Sequence, residues 1–281
     1  MFIEDVILEK DKRGIADLRR LIPDDFCSDA ADKILKKPGT VLITTGFYIL
    51  NAQAPETDGP PGALAIGNAL EKLGYDVHYV TDRQTVILLR NICGTGANVI
   101  EFPITSYKES VSFCQNLISD LSPSLLISIE RCAAASDGLY RNMRDLDISE
   151  HTAKIDLLFG MHKQTIGIGD GGNEIGMGNL KTEIKDSDTL VNYPVTSQTS
   201  NLIISSVSNW GGLGLVAALS LKTGLNLLPS ESEHSHSITS IVDMGAVDGV
   251  SGSKDYLVDG FSIADNLMVL NKLNDFVNSS I

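Results

Sequence analysis

The 281-residue sequence is short of basic side chains: 22 Lys and Arg stand against 36 Asp and Glu, a formal net charge of −14. Affinity for nucleic acid rests largely on Lys and Arg neutralising phosphates, so DNA and RNA are poor partners for this chain. Anionic membrane surfaces are disfavoured for the same reason. Cysteine is scarce as well. Cys27, Cys93, Cys114 and Cys132 form no C-x-x-C pair, which sets aside a zinc knuckle or redox dithiol and predicts four reduced thiols. No apolar run approaches the ~20 residues of a membrane span; the most apolar stretch, Leu213 to Leu221, is far shorter. Met1 to Gly14 carry acids early and lack a long apolar region, so no signal or transit peptide is read there and a cytoplasmic location is expected. Also missing are the phosphate loop G-x-x-x-x-G-K-[ST], the zinc motif H-E-x-x-H, the G-x-S-x-G elbow and an EF-hand loop.

What remains is an ordinary globular composition, 43% hydrophobic and 21% charged, which argues against global disorder. Residues 1–37 read as helical, with Ile15, Leu18 and Ile22 on one apolar face. The period then changes. Gly39 to Gly46 is a β-branched run bounded by glycines, a buried strand, followed by a Pro/Gly loop and a helix from Ala63 to Leu73. Strands are expected again at 76–81, 98–102, 124–129, 164–169 and 201–207, with helices at 85–92, 107–118, 213–222 and 263–277; residues 238–243 read equally as strand or helix end. Alternating strands and helices predict an α/β fold: a doubly wound, mostly parallel sheet in a Rossmann-like three-layer sandwich. No linker, repeat or charge run marks a boundary. The chain therefore reads as one domain, 1–281, with a helical extension (1–37) and a sheet core (38–281).

In open parallel sheets, ligands sit beyond the carboxyl ends of the strands. Five loops are expected there: 45–62, 81–82, 130–149, 169–178 and 208–214. None of the five His falls in them, and His234 and His236, flanking Ser235 in a Ser/Glu-rich loop, are read as surface. The densest loop is Gly167-Ile-Gly-Asp-Gly-Gly-Asn-Glu-Ile-Gly-Met-Gly178. Gly167, Gly169 and Gly172 match G-x-G-x-x-G, but Asp170 would meet a pyrophosphate with the wrong sign, so no nucleotide cofactor is predicted. Asp170, Asn173 and Glu174 suit a divalent metal, Mg or Mn, or a substrate ammonium; the bland reading is a turn with solvated acids. Glu130 and Arg131 close an apolar strand, and Arg131 and Arg144 can grip carboxylates in paired fashion, unless the segment is an exposed salt-bridged helix. Asp58 and Pro61 read as helix initiation, or as an anion site on the free N–H groups that follow. Trp210, the only tryptophan, opens a helix from a Gly-rich loop, where packing and ligand contact are equal readings.

The blocks Glu56-Thr-Asp-Gly-Pro-Pro-Gly62, Ser128-Ile-Glu-Arg131 with Asp137-Gly-Leu-Tyr140 and Asn142-Met-Arg144, the Gly167–Gly178 loop, Ser208-Asn-Trp-Gly-Gly212 and Gly245-Ala-Val-Asp-Gly-Val250 occur in this order. Together they resemble the D-glutamate cyclase family, in its C-terminal catalytic-type domain found alone in many bacterial proteins. The resemblance runs from about Asp11 to the C-terminal helix. It implies a lyase that dehydrates D-glutamate to 5-oxo-D-proline, a small zwitterionic substrate, with self-association left open. Within these blocks, charge and loop position assign catalysis to Glu130, Asp170 and Glu174. A tentative metal site falls on Asp170, Asn173 and Glu174. Substrate contacts fall on Asp58, Gly59, Gly62, Arg131, Asp137, Tyr140, Arg144, Gly171, Gly172, Asn209 and Trp210. Two positions depart from the family pattern: Cys132-Ala133 stands where Pro-Gly or similar is expected, and Asp145 where Gly is usual. Such a change can reshape a loop needing positive φ. Two other functions fit the same residues: a non-catalytic amino-acid or metabolite-binding regulator, and a metal-dependent enzyme acting on another small anion.

Overall fold

The computed structural model describes residues 2–281, so Met1 of the expected 1–37 helical segment lies outside the described residues. Six parallel strands form the central sheet: β1 (Thr40–Thr44), β2 (Asp76–Thr81), β3 (Asn98–Glu101), β4 (Leu125–Ile129), β5 (Thr165–Gly169) and β6 (Asn201–Ile204). Their order is β3-β2-β1-β4-β5-β6, every pair parallel. β1, β4 and β5 are apolar on both faces and nearly wholly buried, as a sheet covered by helices on both sides demands. The chain leaves β1 in one direction toward β2 and β3, then returns to place β4 on the other flank of β1. That reversal makes the β1/β4 boundary the topological switch point, where a crevice opens beyond the strand ends.

The helices are α1 (Ile3–Ile7), α2 (Phe26–Leu35), α3 (Pro60–Lys72), α4 (Val86–Ile92), α5 (Tyr107–Leu121), α6 (Asp156–Met161), α7 (Lys181–Lys185), α8 (Ser208–Thr223), α9 (Glu231–Asp243) and α10 (Ile263–Asn278). Ile15–Leu21 form a 3₁₀ turn that buries Ile15 and Leu18. α8 is buried from Ser208 to Ser220, because its sequence is apolar or small all round. It packs against α1, α2, α3 and α10, so the N-terminal segment shares the main core. Gly62 and Gly212 let α3 and α8 meet: a Cβ at Gly212 would stand 3.2 Å from the Gly62 Cα.

Two short hairpins flank the sheet, Tyr48–Ile49 with Ala54–Pro55 and Leu257–Val258 with Phe261–Ser262. Thr57 N–H donates to the Val247 carbonyl and Thr57 Oγ1 to that of Leu257, which ties the second hairpin to the Glu56–Gly62 loop.

Two expectations are corrected. Residues 230–243 are no surface loop with an ambiguous end: Ser230 and Glu233 form a capping box that starts α9, and 238–243 continue it. His234 lies in that helix, 2% exposed, and burial lowers its pKa to about 4. The 130–148 segment is not the salt-bridged helix: it runs as paired loop strands, with bridges such as Ala134 to Tyr140 and Arg141 to Asp147, and a single 3₁₀ turn at Ser149–His151 follows.

Candidate active site

Beyond the ends of β1 and β4 lies a cavity of about 230 Å³. It is lined by Glu56, Glu130, Asn173 and Asp259, by Arg13 and Arg144, and by apolar groups including Phe47, Ile49 and Met143. This is smaller than the ~300–1,000 Å³ of pockets for drug-sized ligands, and suits a compact metabolite. Glu130 is the first residue past β4 and has φ 44°, a left-handed conformation rare outside glycine. Gly59 accommodates it: a Cβ there would lie 2.5 Å from Thr45 Oγ1 and 2.8 Å from Glu130 Cβ. Glu130 Oε2 accepts from Ser208 Oγ at 2.6 Å.

Behind the cavity wall the carboxylates converge. Asp58, Asp170 and Asp259 each bring an oxygen within 4.8 Å of the others, and so do Glu130, Asp170 and Glu174. The two triads share Asp170, and all five side chains are buried. Arg13 reaches in from the N-terminal segment, with Nη1 2.5 Å from Asp170 Oδ1 and Nη2 2.8 Å from Asp259 Oδ2. Burial raises the Asp170 pKa to about 6, with Arg13 opposing and Glu174 adding. It raises Asp259 to about 7, again opposed by Arg13 and reinforced by Asp170. Glu56, Asp58 and Glu130 are pushed well above the ordinary carboxylate range, first by burial and then by the neighbouring acids.

A hard divalent cation fits this set. Oxygen donors are what Mg²⁺ and Mn²⁺ prefer. Asp170 Oδ2, Glu174 Oε1 and Asn173 Oδ1 are buried without a hydrogen-bond partner among the described residues, an arrangement that needs a cation or water to offset desolvation.

The family profile described as "D-glutamate cyclase-like, C-terminal" matches residues 3–274. The chain belongs to that family. A curated relative from Homo sapiens, "D-glutamate cyclase, mitochondrial", is 34% identical over 234 residues, which cover 75% of this chain and 37% of the relative. The chain thus spans little more than a third of that relative's length. Two solved structures are distantly alike: an exopolyphosphatase-related protein from Bacteroides fragilis (10% identity, 91% of this chain and 58% of that one, TM-score 0.41) and RecJ from Thermus thermophilus in complex with Mn²⁺ (13%, 79% and 24%, TM-score 0.38). Likenesses this slight say nothing of function.

Within this cyclase-like chain, the residues expected at the site divide sharply. Glu130, Asn173 and Arg144 line the cavity, while Asp58, Asp170 and Glu174 form the cluster behind it. The anion site expected at the start of α3 does not exist. Gly59 and Gly62 both donate to Asn209 Oδ1, at 3.0 and 2.8 Å, and Pro60 and Pro61 have no N–H. In exchange, Asp58 caps α8 by accepting from Ser208 N and Asn209 N. Arg131 is likewise unavailable to a ligand. It is 1% exposed, paired with Asp82 at 2.7 Å and donating to the carbonyls of Gly46 and Ala153. Trp210 proves to be a packing residue, its Nε1 donating to Asn266 Oδ1 and its ring tilted against Phe261. Asp137 is an exposed partner of Arg141, and Tyr140 donates to Asp156. Gly171 packs on Met143 and Gly172 on Ile184 and Val191, neither on the cavity.

Three charged site residues were not foreseen: Arg13, Glu56 and Asp259. The Asp259-Gly260 pair between Leu257-Val258 and Phe261 was a legible hairpin signal, and both residues take positive φ as a type I′ turn requires. Of the two departures from the family pattern, Asp145 keeps the backbone a glycine would give, at φ 59°. Cys132 bridges antiparallel to Glu174, and Ala133 N–H donates to the Asn173 carbonyl, so this pair splices the two site loops together.

Proposed function

We propose that the chain is a D-glutamate cyclase, converting D-glutamate to 5-oxo-D-proline and water. The observation that carries this reading is the small cavity at the switch point, where Glu56, Glu130 and Asp259 face Arg13 and Arg144. A zwitterion with one ammonium and two carboxylates needs such mixed charge. Family membership and the relative's name support the reaction.

The α-amine attacks its own γ-carboxyl carbon, so the reaction is intramolecular and positioning supplies much of the rate. Arg144, exposed at the cavity and in no ion pair among the described residues, is the cation for a substrate carboxylate. The ammonium sits among the acids. Its two lost protons and one γ-oxygen leave together as water, so the reaction takes up and releases no net proton and buried carboxyl groups can pass both internally. Asp259, at about 7, is suited to accept the first proton. Glu56, held up by burial and by the charges of Asp259 and Asp58, is suited to donate to the departing oxygen. A Cβ at Gly249, on the cavity, would overlap the Glu56 carboxyl group and stand 3.2 Å from Asp259 Oδ1, so a side chain there would displace Glu56. Glu130, Asp170 and Glu174 would hold a divalent ion, which polarises a carboxyl group and stabilises developing negative charge.

Purified protein incubated with D- and L-glutamate, with and without EDTA, should form 5-oxoproline from the D isomer, and EDTA should suppress it. Chromatography reads the product. Binding without conversion would make the chain a regulator; neither binding nor conversion would direct the search to another small anion. Asp170→Asn should abolish turnover and leave the far-ultraviolet circular dichroism unchanged; unchanged turnover would remove the cluster from the mechanism.

A further inference from the structure

The two carboxylate triads sharing Asp170 have the layout of a two-metal site, in which one carboxylate bridges two ions ~3.5–4 Å apart. The halves are not alike. In the Asp58–Asp170–Asp259 half each carboxylate already has at least one oxygen served. Asp58 accepts from Gly59 N, Asn209 N and Ser208 N, while Arg13 takes Asp170 Oδ1 and Asp259 Oδ2 with two separate nitrogens. In the other half Asp170 Oδ2 and Glu174 Oε1 have no donor, and Asn173, 2% exposed on the cavity wall, leaves Oδ1 without one.

Arg13 is held in place by a dedicated turn. Asp11 Oδ1 accepts from the N–H of Arg13 and of Gly14, Asp11 Oδ2 from that of Ala16, and Thr189 Oγ1 donates to the Arg13 carbonyl. Gly14, at φ 84°, completes the turn. A guanidinium bridging two carboxylates places N–H protons on the same oxygen lone pairs a metal would use, so ion and Arg13 exclude one another.

We propose that Arg13 is a built-in cation filling the Asp58–Asp170–Asp259 half of the cluster, so that the protein holds one divalent ion, on Glu130, Asp170 and Glu174, where the carboxylate layout alone would hold two. The inference rests on the proposed reading only for the presence of an ion, and it is tested without substrate, so a failure to cyclise glutamate leaves it standing.

The test is titration of metal-free protein with Mn²⁺, following the electron paramagnetic resonance signal of the free ion. The wild-type chain should bind one ion and Arg13→Gln two. A wild-type stoichiometry of none or two, or a single ion in a folded Arg13→Gln, overturns the proposal. A second pair decides the question even where Arg13→Gln does not fold: Glu174→Gln should lose the ion and Asp259→Asn should keep it. The reverse pattern, or loss in both, overturns the assignment.

Discussion

Glu130 combines a left-handed backbone, a buried carboxyl group and a ring of acidic neighbours, each of which works against stability. Strain of this kind is of order ~1–3 kcal/mol per residue and persists where the surroundings over-determine it; here Gly59 and the Ser208 hydroxyl do so. The titration has a definite sign. The folded-state pKa is raised above the ~4.3 of an unfolded Glu, so stability is fully present below that value and is lost as pH rises through the folded value. Glu130→Gln cannot ionise. In the metal-free protein its stability relative to wild type should therefore grow as pH rises above the ~4.3 of an unfolded Glu, by urea unfolding, while turnover is lost; a pH-independent difference would mean that folding does not raise the Glu130 pKa. Glu130, Asp170 and Glu174 were legible because charged residues at strand ends and in a glycine-rich loop have few other uses. Arg13 was not. It lies 157 residues from Asp170, and an Arg beside two acids in a helical segment reads as surface.

At the scale of elements, the site is assembled by two helix N-termini that satisfy each other. Asn209 on α8 accepts from the N–H groups opening α3, and Asp58 before α3 accepts from those opening α8. The exchange works only because the helices nearly touch. A Cβ at Gly62 would stand 2.5 Å from Ile129 Cδ1, 2.9 Å from Asn209 Oδ1 and 3.0 Å from Asn209 Cα. Gly62→Ala should lower stability by about 1–3 kcal/mol, as overpacking of a tight core does. Denaturant unfolding measures that loss, and turnover should fall with it because Asn209 and Asp58 shift together. A neutral Gly62→Ala would show that the helices can separate freely. The sequence marked Pro61 as helix initiation, which was right, and Asp58 with it, which was not: α3 opens on Gly59 without a side-chain cap, and Asp58 serves α8 instead. The anion site drawn from the same residues was wrong, because a single sequence cannot reveal that Asn209 arrives to take the donors. Trp210 and Arg131 went the same way: each looked suited to a ligand, and each is consumed by neighbours the sequence keeps far off.

At the scale of the molecule, the N-terminal segment is a structural part of the sheet domain's core. Ile3 and Ile7 contact Gly214 of α8, the Ile7 carbonyl accepts from Ser206 N, Cys27 N donates to Glu4 Oε1, and the Ile34 carbonyl accepts from Tyr75. Removing residues 1–37 would expose the flank of α8, a helix apolar on every side. A chain beginning at 38 should lose cooperative unfolding, read by near-ultraviolet circular dichroism and thermal melts; a cooperative melt close to that of the full chain would refute this. The acidity has a distribution as well as a sum. Several of the acids behind the net charge of −14 are gathered at one sheet end around a single inserted Arg, and among the described residues no helix is long and apolar enough to cross a membrane.

The alternation of buried strands with helices, and with it the parallel sheet and the end at which a ligand would sit, was determined by the sequence alone. These follow from hydrophobic periodicity and from the geometry of parallel crossovers, both local or nearly so. So was the family, carried by loop blocks whose spacing needs no coordinates. Only the tertiary structure decided which polar groups remain open for chemistry. Hydrogen-bond capacity is finite, and whether a carboxylate, amide or guanidinium is still available depends on partners brought from tens of residues away, as for Arg131, or from well over a hundred, as for Asn209 and Asp170. The fold closes Arg131, Asn209 and the start of α3, leaves Asp170, Asn173 and Glu174 open, and sets Arg13 between them and Asp259.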